Sequence, residues 1–172
     1  MRIISGKYKG KKIEGFDIIG TRPTMDRVKE SLFGMIQNKI QDSVCLDLFA
    51  GSGALGMEAI SNGCKKSYFV DNNEQVIKIL KQNLKDMDNY TIIKSDAFKF
   101  LKNIDQKFDI IFLDPPYKYN LINKAISTII KYDLLADDGI IVCEYETEHI
   151  ECSLELIKEK KYGSKNIKIF KK

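Results

Sequence analysis

Short apolar segments alternate with segments of helical periodicity between residues 43 and 146 of this chain. The apolar segments are nearly continuous, which is typical of strands that are buried on both faces of a sheet. Because helices of about ten residues separate these strands, the pattern predicts a parallel sheet with right-handed crossovers and helices on both faces. The predicted strands are SVCLDLF, KSYFVD, YTIIK, FDIIFLD and GIIVCEYE, and the predicted helices span residues 54–61, 74–87, 97–101 and 121–132.

Both ends of the chain depart from this alternation. The first fifteen residues predict a β-hairpin, in which RIIS and KKI pair across a turn between Gly6 and Gly10. Near the other end, LELIKEKKYG and NIKIF predict an antiparallel hairpin because a Gly163-Ser164 turn joins them. We therefore predict an α/β domain at residues 21–172, preceded by a basic β-hairpin extension at residues 1–20.

The segment TRPTMDRVKESLFGMIQNKI predicts an amphipathic helix that links these two parts. Pro23 favours an extended backbone before the helix, and Thr24 can serve as its N-cap. The apolar residues of the segment recur at helical spacing, so we expect them to face the core. They are Met25, Val28, Leu32, Ile36 and Ile40.

Composition argues against several classes of protein. His149 is the only histidine, and the four cysteines lack CxxC spacing, so a metal site or a Ser-His-Asp triad has little support. No apolar stretch is long enough to span a bilayer, and the N-terminus lacks the apolar core of a signal peptide, so we expect a cytoplasmic protein. We interpret the cysteines as reduced thiols, mostly in the core: Cys45, Cys64, Cys143 and Cys152.

Positive charge is concentrated at the two ends of the chain. Residues 1–15 carry five basic residues against one glutamate, and residues 154–172 carry seven lysines against two glutamates. Basic ends around a nearly neutral middle favour a polyanionic partner such as nucleic acid. The alternative is a lysine-rich surface that is merely solvated.

The segment GSGALG, from Gly51 to Gly56, matches the GxGxxG pattern, which nicotinamide enzymes and methyltransferases share. Asp47 lies four residues before this loop, at the end of the first predicted strand. A carboxylate there would repel a pyrophosphate, whereas it would attract the ammonium of S-adenosyl-L-methionine. The loop and Asp47 together therefore favour S-adenosyl-L-methionine as the cofactor.

Two further aspartates follow the next two strands. Asp71 can accept hydrogen bonds from both ribose hydroxyls, and Asp96 can accept one from the adenine amino group. Carboxyl ends of parallel strands line one crevice, although each aspartate could instead be a helix N-cap. The predicted cofactor-binding residues are Asp47, Phe49, Ala50, Gly51, Ser52, Gly53, Asp71, Asn72, Asp96 and Ala97.

The sequence DPPY, from Asp114 to Tyr117, follows another apolar strand. The Asp114 carboxylate and the Pro115 carbonyl can accept the two N–H groups of an exocyclic amine while its lone pair attacks a methyl group. Tyr117 can stack on the base, which leads us to predict an N-methyltransferase that acts on nucleic acid. The predicted catalytic residues are Asp114, Pro115, Pro116 and Tyr117, whereas a simple turn after the strand is the alternative.

The chain resembles the bacterial 16S ribosomal RNA guanine-N2 methyltransferase family. DPPY is also found in adenine-N6 DNA methyltransferases, whereas TRPTMDRVKESLF is much more specific to the rRNA family. Asn73 stands where relatives often have Asp, and it can cap the following helix equally well. The motifs occur in the family's order over nearly the whole chain: MRIISGKYKGKKI, TRPTMDRVKESLF, LDLFAGSGALGMEA, FLDPPY and YGSKNIKIF.

The resemblance implies a Rossmann-like class I methyltransferase with a seven-stranded sheet. It implies methylation of a guanine N2 in 16S rRNA. We further expect the substrate to be the assembling or assembled small subunit, with the protein acting as a monomer and without a membrane partner. Adenine-N6 methylation of DNA, a nicotinamide-dependent oxidoreductase and a catalytically silent RNA-binding module remain alternatives. The residues expected to contact RNA are Arg2, Lys7, Lys9, Lys11, Lys12, Arg22, Thr24 and Arg27.

Overall fold

The computed structural model describes residues 1–15, 22–116 and 120–172, with the backbone alone for residues 22–25. The described residues form seven strands and five helices. The strands are β1 (Val44–Asp47), β2 (Lys66–Asp71), β3 (Tyr90–Lys94), β4 (Phe108–Leu113), β5 (Leu135–Tyr145), β6 (Glu155–Tyr162) and β7 (Lys165–Lys171). The helices are α1 (Arg22–Ile40), α2 (Ala54–Ser61), α3 (Glu74–Asn83), α4 (Ala97–Asn103) and α5 (Leu121–Lys131).

All seven strands belong to one sheet in the order β3-β2-β1-β4-β5-β7-β6. Strands β1 to β5 are parallel, and β7 pairs antiparallel with both β5 and β6. The predicted seven-stranded, mostly parallel sheet with a terminal hairpin is confirmed. The strand order reverses between β1 and β4, and such a reversal opens a crevice at the carboxyl ends of the strands.

Two apolar cores, one on each face of the sheet, explain why the strand sequences are continuously hydrophobic. On one face, Phe112 and its neighbours pack with residues of α1, α2 and α3. On the other face, Leu113 and its neighbours pack with residues of α4 and α5. Because successive strand residues point to opposite faces, the central strands need apolar residues at nearly every position, whereas the edge strand β6 is mostly exposed.

Helix α1 begins earlier than the sequence predicts. It starts at Arg22, so Pro23 lies inside its first turn and Thr24 does not precede the helix as an N-cap. The correction has a simple reason, because the fixed φ of proline and its missing N–H suit the first turn of a helix. The side chain of Met25 lies outside the described part. The other predicted core residues of α1 are buried: Val28, Leu32, Ile36 and Ile40.

Helix α3 ends at Asn83, before the predicted boundary at Met87. The chain turns through Asp86, whose φ of 67° lies in the left-handed region. Leu84 and Met87 are nevertheless buried in the core. Their burial explains why the helical hydrophobic pattern continues beyond the end of the helix.

The N-terminal segment, residues 1–15, folds back on itself and packs against the domain. Its two arms form one antiparallel bridge, between Arg2 and Lys12, and the Ile3 N–H donates to the Lys11 carbonyl. Ile3 and Ile13 are both buried, in the same core as α1 and α2. The predicted hairpin is therefore short, and its apolar residues anchor it to the helices. Residues 16–20 of the predicted extension lie outside the described residues.

Cys45, Cys64 and Cys143 are buried, and Cys152 is partly buried, which agrees with their prediction as mostly core thiols. Within the described residues, no group of side chains is arranged to hold a metal ion. No described helix is both long enough and apolar enough to cross a membrane.

Candidate functional site

A cavity of about 590 Å³ opens at the carboxyl ends of β1, β2, β3 and β4. Its volume lies within the usual range for small-molecule sites. Asp47, Ala50, Ser52 and Gly53 belong to the adjoining strand and loop but do not line the cavity. Nine of the predicted site residues do line it: Phe49, Gly51, Asp71, Asn72, Asp96, Ala97, Asp114, Pro115 and Pro116.

Glycine is required at two positions, one in the loop between β1 and α2 and one in the first turn of α2. Gly53 has a φ of 81°, and a Cβ atom on it would lie 2.7 Å from Cδ2 of Leu80. A Cβ atom on Gly56 would lie 2.4 Å from Cε1 of Phe69. A larger residue would therefore press on α3 at the first position and on β2 at the second, and the loop and α2 could not keep their present packing.

Asp47 lies beneath this loop, with only 2% of its surface exposed. Its Oδ2 accepts a hydrogen bond of 3.0 Å from the backbone N–H of Gly56, in the first turn of α2. Burial raises the pKa of Asp47 to about 7, against the opposing effect of the Gly56 N–H, and the Asp71 carboxylate also raises it. Asp47 thus ties α2 to β1 and is poised to change charge near neutral pH.

Asp71 joins the glycine loop to the start of α3. Its Oδ2 accepts from the N–H of Gly51 at 3.2 Å, and its Oδ1 accepts from the N–H of Asn73 at 3.0 Å. Each carboxylate oxygen can still accept a further hydrogen bond from a ligand in the cavity. The predicted capping role of Asn73 is confirmed, because its side chain accepts from the N–H groups of Gln75 and Val76.

Asp96 combines both roles that the sequence left open. Its Oδ1 accepts a hydrogen bond of 2.8 Å from the N–H of Lys99, so it is the N-cap of α4. It is also exposed and lines the cavity. The cap fixes the orientation of this carboxylate at the cavity wall.

Sequence reasoning missed an aromatic contact at the same wall. The rings of Phe49 and Phe98 lie edge to face, with their centroids 6.5 Å apart, and both line the cavity. The Lys124 ammonium lies 4.0 Å from the centre of the Phe98 ring. Phe98 directly follows Asp96 and Ala97, so its position after the third strand could have indicated that it lines the cavity. Other apolar lining residues that were missed are Leu48, Val70, Val76 and Leu121.

Asp114 and Pro115 form the edge of the cavity after β4. Asp114 is half-buried, Pro115 is buried and Pro116 is exposed, whereas Tyr117 lies outside the described residues. Leu113 pairs with Cys143, which places Asp114 beside Glu144 on the neighbouring strand. Burial raises the pKa of Asp114 well above its usual range, and the Glu144 carboxylate raises it further. Glu144 is buried and forms an ion pair with Lys165.

Both basic ends of the chain combine paired and unpaired charges. At the C-terminal end, four of the seven lysines are paired with carboxylates, and the other three have no ion-pair partner among the described residues. At the N-terminal end, Lys9 and Lys12 have no ion-pair partner among the residues described, and both are exposed. The C-terminal pairs are Lys165 with Glu144, Lys168 with Glu159, Lys171 with Asp138 and Lys172 with Asp133.

The other predicted RNA contacts also lie at the N-terminal end. Lys7 lies 3.7 Å from a carboxylate oxygen of Asp88, and Lys11 donates to the carbonyl of Lys85. Arg2 and Arg27 are exposed. The side chains of Arg22 and Thr24 are outside the described part of the chain. The N-terminal segment and α1 therefore carry free positive charge.

Comparison with known proteins identifies the family. The family model described as conserved hypothetical protein 95 matches residues 1–171. The ribosomal RNA small subunit methyltransferase D of Haemophilus influenzae is 37% identical over 99% of this chain and 93% of its own length. The chain belongs to the small-subunit ribosomal RNA methyltransferase D family. The family predicted from the motifs is confirmed, and so is the methyltransferase class of enzyme.

Solved structures agree with membership in the methyltransferase D family. The structure of yhhF from Escherichia coli, provisionally named a methyltransferase, has a TM-score of 0.88 and 34% identity, and it covers 100% of this chain and 97% of its own. SMU.776, also provisionally named a methyltransferase, was solved in complex with SAH and shares the fold at 15% identity and a TM-score of 0.64. That match covers 81% of this chain and 49% of the other, and it confirms the Rossmann-like methyltransferase fold.

Proposed function

We propose that the protein transfers the methyl group of S-adenosyl-L-methionine to N2 of a guanine in 16S rRNA of the small ribosomal subunit. One arrangement carries this proposal. Asp114 and Pro115 lie at the edge of the same cavity that Asp71 and Asp96 line. A nucleobase amine and a methyl donor can therefore meet at one place.

The residues of the cavity fit the donor. Asp71 has acceptor capacity for the ribose hydroxyls, and Asp96 has it for the adenine amino group. Phe49, Phe98 and the apolar residues beside them provide a surface for a flat ring. The donor supplies a methyl group that its sulfonium already activates, so the protein's task is mainly to orient the two reactants.

The residues after β4 would hold the target amine. The Asp114 carboxylate and the Pro115 carbonyl accept its two N–H groups, and they bind more strongly as positive charge develops on nitrogen. The methylated nitrogen must then lose a proton. The ionised form of Asp114 can accept that proton, and the raised pKa of Asp114 makes this form the stronger base. Tyr117 stays predicted as the residue that stacks on the base.

The target guanine must be unpaired or must leave its helix to reach Asp114. The free lysines of the N-terminal segment would then bind the surrounding phosphates. This substrate would be the assembling or assembled small subunit, with the protein acting as a monomer.

Replacing Asp71 with Ala should weaken binding of S-adenosyl-L-methionine by about 1 to 3 kcal/mol, because a charged hydrogen-bond acceptor is lost. Isothermal titration calorimetry measures this change directly. Asp88→Ala is the matched control, since Asp88 is an exposed carboxylate that does not line the cavity. Equal donor affinities for Asp71→Ala and the unmodified protein would remove Asp71 from the ribose contact.

Donor affinity should also depend on the charge of Asp47. With a pKa of about 7, Asp47 is mostly protonated at pH 5.5 and about half ionised at pH 7. If the ionised form attracts the donor's ammonium, affinity should rise about tenfold between about pH 5.5 and pH 7. Asp47→Asn should flatten this dependence in calorimetry, and an unchanged slope would contradict the role of Asp47.

Mapping methylated guanines in 16S rRNA tests the proposed function. RNA from cells that lack the gene should lose one N2-methylguanine, and the purified protein should restore it with labelled donor. Duplex DNA serves as the competing substrate in the same assay. Labelling of adenine in DNA without labelling of rRNA would overturn the proposal.

A further inference from the structure

A second cavity, of about 630 Å³, lies between the N-terminal segment and the first turns of α1. None of its lining residues lines the cavity at the strand ends. The N-terminal segment contributes residues to one wall and α1 contributes residues to the other. The charged members are Arg2, Lys9, Asp26, Arg27 and Glu30. We call this space the N-terminal cleft.

A buried ion pair holds the two walls of the N-terminal cleft together. The Lys29 ammonium lies 3.0 Å from a carboxylate oxygen of Glu58, and their side chains are only 4% and 1% exposed. Lys29 also donates to the carbonyl of Arg2, at 2.5 Å. Glu58 accepts from the N–H groups of Ile4, at 3.0 Å, and Ser5, at 2.9 Å. The N-terminal wall is thus fixed to α1 and α2 by five charged or backbone groups.

The ion pair between Lys29 and Glu58 fixes the position of the N-terminal segment, although burying both charges costs solvation free energy. Removing two charges from water offsets much of their attraction, so apolar residues could often stabilise the same contact equally well. Hydrogen bonds, however, have defined directions, and here they fix the main chain of residues 2–5. The ion pair therefore holds the N-terminal cleft in one shape.

The charges of the cleft suit a nucleotide. Arg27 and Lys9 are exposed and have no ion-pair partner among the described residues, and Arg2 lies 3.9 Å from the Asp26 carboxylate. Three cations can bind a phosphate. Asp26 and Glu30 can accept hydrogen bonds from ribose hydroxyls or base amino groups. A ligand with an anionic group and several N–H or O–H donors satisfies both sets.

The cleft also lies close to the end of β4. A small cavity of about 40 Å³ is lined by Lys29 and Asp114 together, and Met1 borders the same space. Lys29 therefore stands between the N-terminal cleft and the residues that would hold the target base.

We propose that the N-terminal cleft is a second nucleotide-binding subsite, which takes a single-stranded nucleotide flanking the target guanine, with its phosphate on Arg2, Lys9 and Arg27. The identity of the strand rests on the proposed function, whereas the subsite itself is defined by its own geometry. Lys29 and Glu58 act as positioning residues, because they hold this subsite at a fixed position relative to Asp114 and Pro115.

Charge reversal at Arg27 tests the subsite through RNA affinity, without an activity assay. The Arg27→Glu protein should bind a fluorescein-labelled single-stranded RNA of about ten nucleotides at least tenfold more weakly, and the salt dependence should lose about one unit of log-log slope per lost phosphate contact. Lys161→Glu is the matched control, because Lys161 is an exposed lysine on β6 and the change in net charge is the same. We expect its affinity to stay within about twofold of the unmodified protein. Equal losses of RNA affinity in both variants would contradict the proposed subsite.

Crosslinking gives a second readout that does not require a variant to fold. A photoreactive 4-thiouridine placed next to the target guanine should crosslink to the peptides that contain Lys9 or Arg27. Crosslinks confined to other peptides would contradict the proposal. If the cleft binds RNA in both experiments but no guanine is methylated, the proposed function fails while the subsite stands.

Discussion

Asp114→Ala should lower the rate of methyl transfer at saturating substrate by about a hundredfold to a thousandfold, the usual effect of losing one group that stabilises a developing charge. The variant removes an acceptor for the amine N–H and also the acceptor for the departing proton. Asp114→Asn separates these roles, because its amide oxygen still accepts a hydrogen bond but cannot take the proton. We expect Asp114→Asn to be intermediate in rate.

Single-turnover assays with tritiated donor on small subunits measure this loss directly. Calorimetry with S-adenosyl-L-methionine is the control, since most of the donor's contacts would remain. A loss of donor affinity that accounts for the whole rate effect would contradict a role at the target amine. Full activity of Asp114→Ala would remove the residue from the reaction altogether.

Glu58→Gln should lower the free energy of unfolding by about 3 to 5 kcal/mol, the usual cost of leaving one member of a buried ion pair without its partner. For a chain of this size, the loss corresponds to a fall in Tm of roughly 10 °C. The Lys29 ammonium would stay buried among backbone groups without a countercharge. Adding Lys29→Met to Glu58→Gln should recover part of the stability, because the unpaired charge is then removed.

Urea denaturation of these variants gives the free energies. Glu159→Gln is the matched control, since it breaks the more exposed pair between Glu159 and Lys168 and should cost less than about 1 kcal/mol. A Glu58→Gln protein as stable as Glu159→Gln would show that the buried pair does not hold the N-terminal segment. A double variant less stable than Glu58→Gln would contradict the unpaired charge as the cause.

Local periodicity predicts most of this fold. The strands fall where apolar runs are bounded by polar residues, and α2 spans the predicted residues 54–61 without change. The reason is that the central strands are buried on both faces, so their signal is strong and independent of their neighbours. The glycine loop and Asp71 could likewise be located, because the ends of parallel strands meet in one crevice.

The charged groups that act together over long sequence distances could not be predicted in this way. Lys29 and Glu58 are 29 residues apart and look like ordinary surface charges of two helices, yet both are buried. Glu144 lies beside Asp114 only because β4 and β5 pair in one register. The C-terminal lysines suggested a polyanion site, whereas several of them are paired with carboxylates within the fold. Tertiary contacts decide each of these cases.

A crystal structure of the protein with bound S-adenosyl-L-methionine would show whether the cavity holds the methyl donor beside Asp114. The ribose hydroxyls should lie about 2.7 to 3.2 Å from the Asp71 carboxylate, at hydrogen-bond distance. The transferable methyl group should face Asp114 and Pro115. A donor bound outside the cavity at the ends of β1 to β4, or a methyl group directed away from Asp114, would contradict the account.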